Sequence, residues 1–135
     1  MPTVTGLLET ALYVEDVARS AEFYEAVFGF TRLFAEERLC ALHIGGGQVL
    51  LLFKRGASAH TAGQSPVPPH GGRGELHIAF LIAASEAEAW DRWLLARGIA
   101  VESRQRWRRG GVSLYFRDPD RHLVELATPG VWPVG

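Results

Sequence analysis

The sequence predicts an α+β fold of two tandem βαβββ modules within a single domain spanning residues 1 to 135. Each half has the same order of patterns: one alternating apolar stretch, one stretch at helical spacing, then three more strand-like stretches. The glycines that close the two helical stretches, Gly29 and Gly98, lie 69 residues apart. Glu9 and His77, which interrupt the first strand of each half, lie 68 apart. A tandem duplication with slightly different loops explains both intervals.

The first module, about residues 7 to 54, begins with the alternating stretch LETALYV. The next stretch, EDVARSAEFYEAVFG, has apolar residues at helical spacing, with Asp16 placed to cap the start of a helix and Gly29 its end. Three strands are then predicted, at about 30 to 38, 39 to 45 and 48 to 54, the last two joined by a glycine turn at 45 to 47.

The second module, about residues 75 to 130, repeats this order. A strand over ELHIAFLIA precedes a helix that we expect to open with a capping box, Ser85 with Glu88, and to close at Gly98. Three strands follow in the stretches IAVESRQRW, VSLYFRD and HLVELAT, with turns at 108 to 111 and 118 to 121.

Residues 55 to 74 connect the modules and are rich in glycine, serine, alanine and proline without any period. This composition predicts a mobile linker or lid. Its two histidines, His60 and His70, have no counterpart in the repeat.

Composition narrows the class of protein. A content of 47% hydrophobic and 21% charged residues is typical of a packed globular chain, and the net charge of −1 offers no electrostatic case for a nucleic-acid partner. The single cysteine, Cys40, excludes an internal disulfide and a cysteine-based zinc cluster. The N-terminus does not read as a signal peptide, and no apolar run reaches the roughly 18 residues of a membrane span. We expect a cytoplasmic protein with no membrane partner.

Three polar residues interrupt apolar strands in the same way. Glu9, His77 and Glu125 are each followed two positions later by alanine, and side chains two apart in a strand share a face. Taken singly, an edge-strand carboxylate or a hydrogen-bonded histidine is the commoner explanation. Their shared place in the repeat favours one cavity floor that holds a divalent metal through three ligands and leaves positions open. In the first module the position equivalent to Glu125 is Leu51.

The stretches LETALYVEDVARSAEFYEAVFGF, GELHIAF and GVSLYFRDPDRHLVEL resemble the vicinal oxygen chelate superfamily. That superfamily includes glyoxalase I, extradiol dioxygenases, fosfomycin-resistance thiol transferases and bleomycin-binding proteins. The resemblance covers about residues 7 to 130. It implies a curved mixed β-sheet cup, and a metal site formed by Glu9, His77 and Glu125.

Three departures from the family pattern stand out. The first ligand, histidine or glutamine in most relatives, is Glu9 here. Glyoxalases place a glutamate where this chain has Leu51, which argues against lactoylglutathione lyase activity. The turn usually written DPDG is DPDR, with Arg121 in place of glycine, a change expected to affect the turn and not the site.

Two carboxylates and one imidazole suit Fe, Mn, Ni or Zn better than Cu(I). Because two glutamates neutralise a divalent ion, we expect a weaker Lewis acid than in relatives with two histidines. The resemblance implies a substrate chelated through adjacent oxygens, with Glu125 as ligand and base. Tyr115 is a candidate for substrate contact, and equally a candidate for a half-buried strand aromatic.

Other residues have a structural explanation that we favour. Core packing is the expectation for Tyr13, Phe53 and Trp107, although they are also candidates to line the cavity. The basic stretch RQRWRR (104 to 109) spans a strand end and a turn, so a solvated rim is favoured over a patch for an anionic substrate or RNA.

The leading interpretation is a metal-dependent enzyme acting on a small oxygenated substrate: a dioxygenase, a lyase or isomerase, or a thiol transferase. The alternative is a non-catalytic small-molecule or antibiotic-binding protein of the bleomycin-resistance type. The resemblance also implies a homodimer, with the cup formed either within one chain or by exchange between two.

Overall fold

The computed structural model describes residues 1 to 59 and 66 to 135, which form two compact units, 1 to 73 and 74 to 135. In these described ranges each unit contains one α-helix and one four-stranded mixed sheet, so the predicted α+β fold with two βαβββ modules is confirmed. The predicted linker lies partly outside the described residues, and the prediction for His60 falls wholly outside them.

In the first unit, the first strand lies at the edge of the sheet and pairs in parallel with the last strand of the module. In sheet order β1-β4-β3-β2, β1 and β4 are parallel and the other pairs antiparallel. The elements in chain order are β1 (Glu9–Val14), α1 (Val17–Phe28), β2 (Thr31–Ala35), β3 (Leu39–Gly45) and β4 (Gln48–Lys54).

Helix α1 begins and ends where the sequence predicts. The Asp16 carboxylate accepts a hydrogen bond from the Arg19 backbone N–H at 3.1 Å. Gly29 ends the helix in the left-handed conformation, with φ of 71°, and its N–H donates to the Glu25 carbonyl. The buried face of the helix includes Tyr24, which is fully buried.

The second unit repeats this topology in the order β5-β8-β7-β6, with β5 and β8 parallel. Its elements are β5 (His77–Leu81), a 3-10 turn (Ala84–Glu86), α2 (Ala87–Ala96), β6 (Ser103–Arg106), β7 (Val112–Arg117) and β8 (Leu123–Ala127).

The predicted capping box of α2 is wrong. Ser85 lies inside the 3-10 turn, so the N-cap is Glu86, whose side chain makes no capping hydrogen bond. The C-terminal prediction holds: Gly98 has φ of 72°, and the Ile99 N–H donates to the Leu94 carbonyl in a Schellman arrangement.

The turn at 118 to 121 keeps a glycine-type backbone at Arg121. Its φ of 67° is the only positive value at a non-glycine residue in the described part of the chain. The Arg121 N–H donates to the Asp118 carbonyl, and the Arg121 side chain donates to Glu75. Asp118 also accepts from the backbone N–H groups of Asp120 and His122. These bonds hold the turn closed despite the left-handed arginine.

The strand register makes the two modules equivalent residue by residue. In the first unit Glu9 pairs with Val49 and Ala11 with Leu51. In the second, His77 pairs with Leu123 and Ala79 with Glu125. Glu9 therefore occupies the position of His77, and Leu51 that of Glu125, as the sequence alignment of the two halves predicted.

No helix in the described part of the chain is both long and apolar enough to cross a lipid bilayer.

Candidate metal centre

The second unit brings two of the three predicted ligands together. His77 lies on β5 and Glu125 on the adjacent β8, and the Nε2 atom of His77 is 3.2 Å from Oε1 of Glu125. The other ring nitrogen of His77, Nδ1, lies 3.0 Å from the carbonyl oxygen of Leu123. The pairing is local to one parallel strand pair, so the backbone itself sets the approach.

These contacts decide the tautomer of His77. A carbonyl oxygen can only accept, so Nδ1 carries the proton. In the neutral ring Nε2 then presents a lone pair toward a carboxylate oxygen, and two acceptors at this distance repel each other. A cation, either a proton on Nε2 or a metal ion bound by both atoms, removes that conflict.

Glu125 is buried and its orientation is fixed by a hydrogen-bonded chain. Only 7% of the residue is exposed. The hydroxyl of Ser113 donates to Oε2 of Glu125 at 2.6 Å, and the indole N–H of Trp107 donates to the Ser113 oxygen at 2.8 Å. With Oε2 engaged in this way, Oε1 is the carboxylate oxygen that faces His77.

Tyr115 lies on β7 directly across from Glu125 in the antiparallel pairing. Its ring centroid is 6.5 Å from that of His77. Burial raises the pKa of the Tyr115 phenol; a hydrogen bond with Ser113 lowers it, and the charge and hydrogen bonding of Glu125 raise it further. The phenol is therefore neutral at physiological pH.

A cavity of about 530 Å³ opens above these groups. Its lining combines the two ligand candidates with small and aromatic side chains: His77, Ala79, Trp107, Tyr115, Glu125, Ala127, Val131 and Trp132. Ala79 and Ala127 are two residues beyond His77 and Glu125, as the repeated pattern anticipated.

Glu9 belongs to the first unit, where it is exposed at the start of β1. Within the described residues no group of three or more His, Cys, Asp or Glu side chains is placed to hold a metal ion. The three-ligand set therefore stays a prediction.

Two of the three aromatics assigned to core packing form a separate cluster in the first unit. The Tyr13 hydroxyl lies 2.8 Å from Nδ1 of His70, and Phe53 stacks on Tyr13 and meets the His70 ring edge-on. The backbone of Gly72 lies against the Tyr13 ring. For Trp107 core packing is wrong, because its ring lines the cavity.

Sequence reasoning missed Ser113, Val131 and Trp132. Ser113 precedes Tyr115 by two residues on β7 and so faces the same side, which was a usable signal. Val131 and Trp132 follow the last strand in a segment without any period, and no pattern marked them.

The basic stretch 104 to 109 makes several local side-chain hydrogen bonds, and Gln105 donates one to the Arg106 carbonyl at 2.9 Å. The guanidinium of Arg104 donates two hydrogen bonds to Asp91, at 2.6 and 2.7 Å, and Trp107 bonds to Ser113. The strand residues of this stretch, in β6, are all exposed.

The two units share one βαβββ topology, and the second carries a histidine and a glutamate on its paired parallel strands, in the lining of a cavity sized for a small molecule. The chain belongs to the glyoxalase/bleomycin resistance protein/dioxygenase superfamily, whose family model matches residues 6 to 126. This confirms the family to which the sequence motifs pointed.

Individual relatives agree with this family. A metallothiol transferase FosB from Staphylococcus saprophyticus is 32% identical, covering 85% of this chain and 71% of the relative. FosB from Staphylococcus haemolyticus is 29% identical, covering 93% and 84%. The crystal structure of a lactoylglutathione lyase from Agrobacterium tumefaciens is similar to this one, with a TM-score of 0.92. The two sequences are 32% identical, and the match covers 98% of this chain and 100% of the relative. These similarities support the predicted functional class, a metal-dependent enzyme of this superfamily.

Proposed function

We propose that the chain uses a divalent metal ion held by Glu9, His77 and Glu125 to activate a small oxygenated substrate. The observation that carries this proposal is the approach of His77 Nε2 to Glu125 Oε1, at 3.2 Å, with Nδ1 already committed to the Leu123 carbonyl. One imidazole and carboxylate oxygens fit Fe, Mn, Ni or Zn. When bound, such an ion polarises a substrate oxygen and stabilises the negative charge that develops there.

The surrounding residues have distinct roles in this proposal. Ser113 and Trp107 hold the Glu125 carboxylate in one orientation, which keeps Oε1 directed toward the ion position. Tyr115, as a neutral phenol in the same cavity, donates a hydrogen bond to a substrate oxygen. Glu125 is also the group best placed to accept a proton from the bound substrate.

Thiol transfer is the reaction class that we favour. Metallothiol transferases recur among the relatives, and Leu51 occupies the position equivalent to Glu125, where glyoxalases place a further glutamate. In such a transfer the sulfur of a small thiol forms a C–S bond to the carbon that carries the activated oxygen. The bond between that carbon and the oxygen breaks, and the oxygen takes up the proton released by the thiol.

Metal content tests the proposal. The untagged protein is reconstituted with Mn²⁺ or Zn²⁺, dialysed and analysed for metal, beside Glu125→Gln and the control Glu88→Gln, which removes one exposed carboxylate on α2. We expect about one ion per chain in the wild type and in Glu88→Gln, and a strong loss in Glu125→Gln. Equally little metal in wild type and Glu125→Gln would overturn the proposal and favour the non-catalytic binding protein.

The reaction class needs its own assay. Metal-loaded protein is incubated with a small thiol and a panel of oxygenated electrophiles, and the loss of free thiol is followed. We expect thiol consumption that requires both the metal and Glu125. A chain that holds metal but isomerises a thiol adduct without consuming thiol would be a lyase or isomerase instead.

We further propose that the working form is a homodimer. Light scattering coupled to gel filtration measures the mass. Mixing Glu9→Ala with Glu125→Ala then tests whether one metal site takes ligands from two copies of the chain. If it does, each mixed dimer has one intact site and binds about half the metal of the wild type. If each chain builds its own site, the mixed dimers bind none. A monomeric mass would refute the dimer and leave the metal site untouched.

A further inference from the structure

The cavity beside His77 and Glu125 has an aromatic wall that the metal chemistry does not require. Trp107 and Trp132 both line it, and they are 37% and 73% exposed. Large exposed aromatics gathered at one cavity mark a binding surface more often than a structural need. We therefore expect the ligand to have a group that can pack against these two indoles.

The segment carrying Trp132 is anchored by backbone, so its position is defined. Thr128 extends the sheet: its N–H donates to the Val112 carbonyl at 3.0 Å, and its hydroxyl accepts from the Val112 N–H at 2.8 Å. Two residues on, Gly130 packs directly against Gly111 in the β6–β7 turn. A Cβ atom added at Gly111 would lie 2.5 Å from the Gly130 carbonyl carbon, a separation that real side chains do not tolerate. The glycine pair brings the chain to the cavity, and Val131 and Trp132 follow immediately.

The charge of the lining disfavours an anionic ligand in the metal-free protein. Its ionisable members are His77, Tyr115 and Glu125, and neither lysine nor arginine is among the described lining residues. Without a bound metal ion, an anionic group lodged in this part of the cavity would meet the Glu125 carboxylate with no fixed cation to offset the repulsion. An uncharged group loses nothing there and gains contact with the two indoles.

We propose that this cavity binds an uncharged aromatic group of the substrate against Trp107 and Trp132, with the reacting oxygens beside Glu125. The placement of the reacting oxygens beside Glu125 rests on the proposed function. The aromatic group is inferred from the cavity lining alone. It makes Trp132 a specificity-determining residue, because Trp107 is also committed through its N–H to Ser113.

Three probes of similar size separate shape, aromaticity and charge: 2-naphthol, its saturated counterpart decahydro-2-naphthol, and 2-naphthoate. Each is titrated into the full-length protein by calorimetry, as purified and after treatment with EDTA. We expect 2-naphthol to bind more tightly than both others in the EDTA-treated protein. Equal affinity for 2-naphthol and its saturated counterpart, or tighter binding of the carboxylate, would overturn the proposal.

Variants assign the effect to a residue. Trp132→Ala is expected to weaken 2-naphthol binding about 3- to 10-fold, with Trp132→Phe recovering most of it. Trp93→Ala, which removes an exposed indole on α2 outside the cavity lining, should change nothing. Unchanged affinity in Trp132→Ala would refute the assignment. Since Trp132 is largely exposed, its truncation is not expected to unfold the protein.

The outcomes keep the two proposals apart. Metal binding that depends on Glu125, together with 2-naphthol binding that ignores Trp132, refutes only the aromatic site. Failure to hold metal, with 2-naphthol binding that depends on Trp132, refutes only the metal-dependent enzyme.

Discussion

At the scale of single residues, the candidate site depends on partners that do not touch the ion position. Glu125 is a useful ligand only if its carboxylate is turned toward His77, and that turn is set by the Ser113 hydroxyl. Ser113 is fully buried and is itself held by Trp107. One hydroxyl therefore connects the cavity wall to the proposed metal position.

Replacing Ser113 by alanine should weaken metal binding about 10- to 100-fold, because partners behind a ligand typically contribute that much. Metal titration against a competing chelator measures it. Ser113→Thr, which keeps the hydroxyl, should recover part of the affinity, and Ser103→Ala, on exposed β6, should match the wild type. Equal affinity in Ser113→Ala and wild type would show that Glu125 orients itself unaided.

A second prediction concerns the aromatic cluster of the first unit. A Cβ atom at Gly72 would lie 2.4 Å from the Tyr13 ring, so Gly72→Ala must displace the ring and its contact with His70. We expect the free energy of unfolding to fall by about 1–3 kcal/mol, measured by chemical denaturation.

The neighbouring glycine is a matched control for this substitution. A Cβ atom at Gly71 meets no described residue within 4 Å, and the backbone there is not left-handed, so Gly71→Ala should be close to neutral. Equal effects of the two substitutions would contradict the packing of Gly72 against Tyr13.

At the scale of elements, the sequence predicted the strands and helix ends well and one helix start badly. The repeated order of elements, the Asp16 cap and the closing glycines follow from short-range patterns, and all are present. The start of α2 failed because the 3-10 turn at Ala84–Glu86 takes up the residues of the apparent capping box. Local patterns cannot tell such a turn from the first turn of a helix.

The residues of the candidate site also fall into those that local sequence patterns indicate and those that they do not. The sequence singled out His77 and Glu125 because each is a polar residue in an apolar strand with alanine two positions later. Ser113 was within reach through its spacing from Tyr115. Trp132 was not, because its place depends on Gly130 meeting Gly111, a contact between residues far apart in sequence.

The ion pair between α2 and β6 predicts a pH effect. The double hydrogen bond from Arg104 lowers the pKa of the Asp91 carboxyl, against a smaller opposing effect of burial. A lowered folded-state pKa means that the stabilisation is present above the unfolded value, about 3.9, and is lost as the pH falls through the folded value.

Asp91→Asn should therefore lower the unfolding temperature by roughly 1–3 °C at pH 7, and the difference from wild type should disappear in strong acid. Thermal unfolding followed by circular dichroism across pH 2 to 7, at about 0.1 M salt, measures it. Glu88→Gln removes the same charge from the same helix and should show less pH-dependent change. A constant difference at every pH would mean that the effect of Asp91→Asn is not ionic.

At the scale of the whole molecule, two modules of the same topology differ in chemistry at two equivalent positions. Strand pairing places Glu9 opposite Val49 as it places His77 opposite Leu123, and Leu51 stands where the second module has Glu125. The first module thus has a polar residue at one position of the pair and an apolar residue at the other. Its strands pair in the same register as those of the second module.

Leu51→Glu tests the equivalence. In the second module the corresponding side chains approach to 3.2 Å, so a glutamate at 51 should repel Glu9 and lower the free energy of unfolding by about 1 kcal/mol more than Leu51→Gln does. Added Mn²⁺ should reverse that excess. Denaturant unfolding with EDTA and with Mn²⁺ gives both values, and a Leu51→Glu chain indifferent to metal would contradict the equivalence.

The shared register has a consequence for how such a chain changes over generations. Backbone hydrogen bonds align the strands in both modules, so the position of a ligand on the sheet stays the same whatever side chain it carries. A single substitution at such a position can add or remove a ligand side chain while the strand pairing around it stays the same.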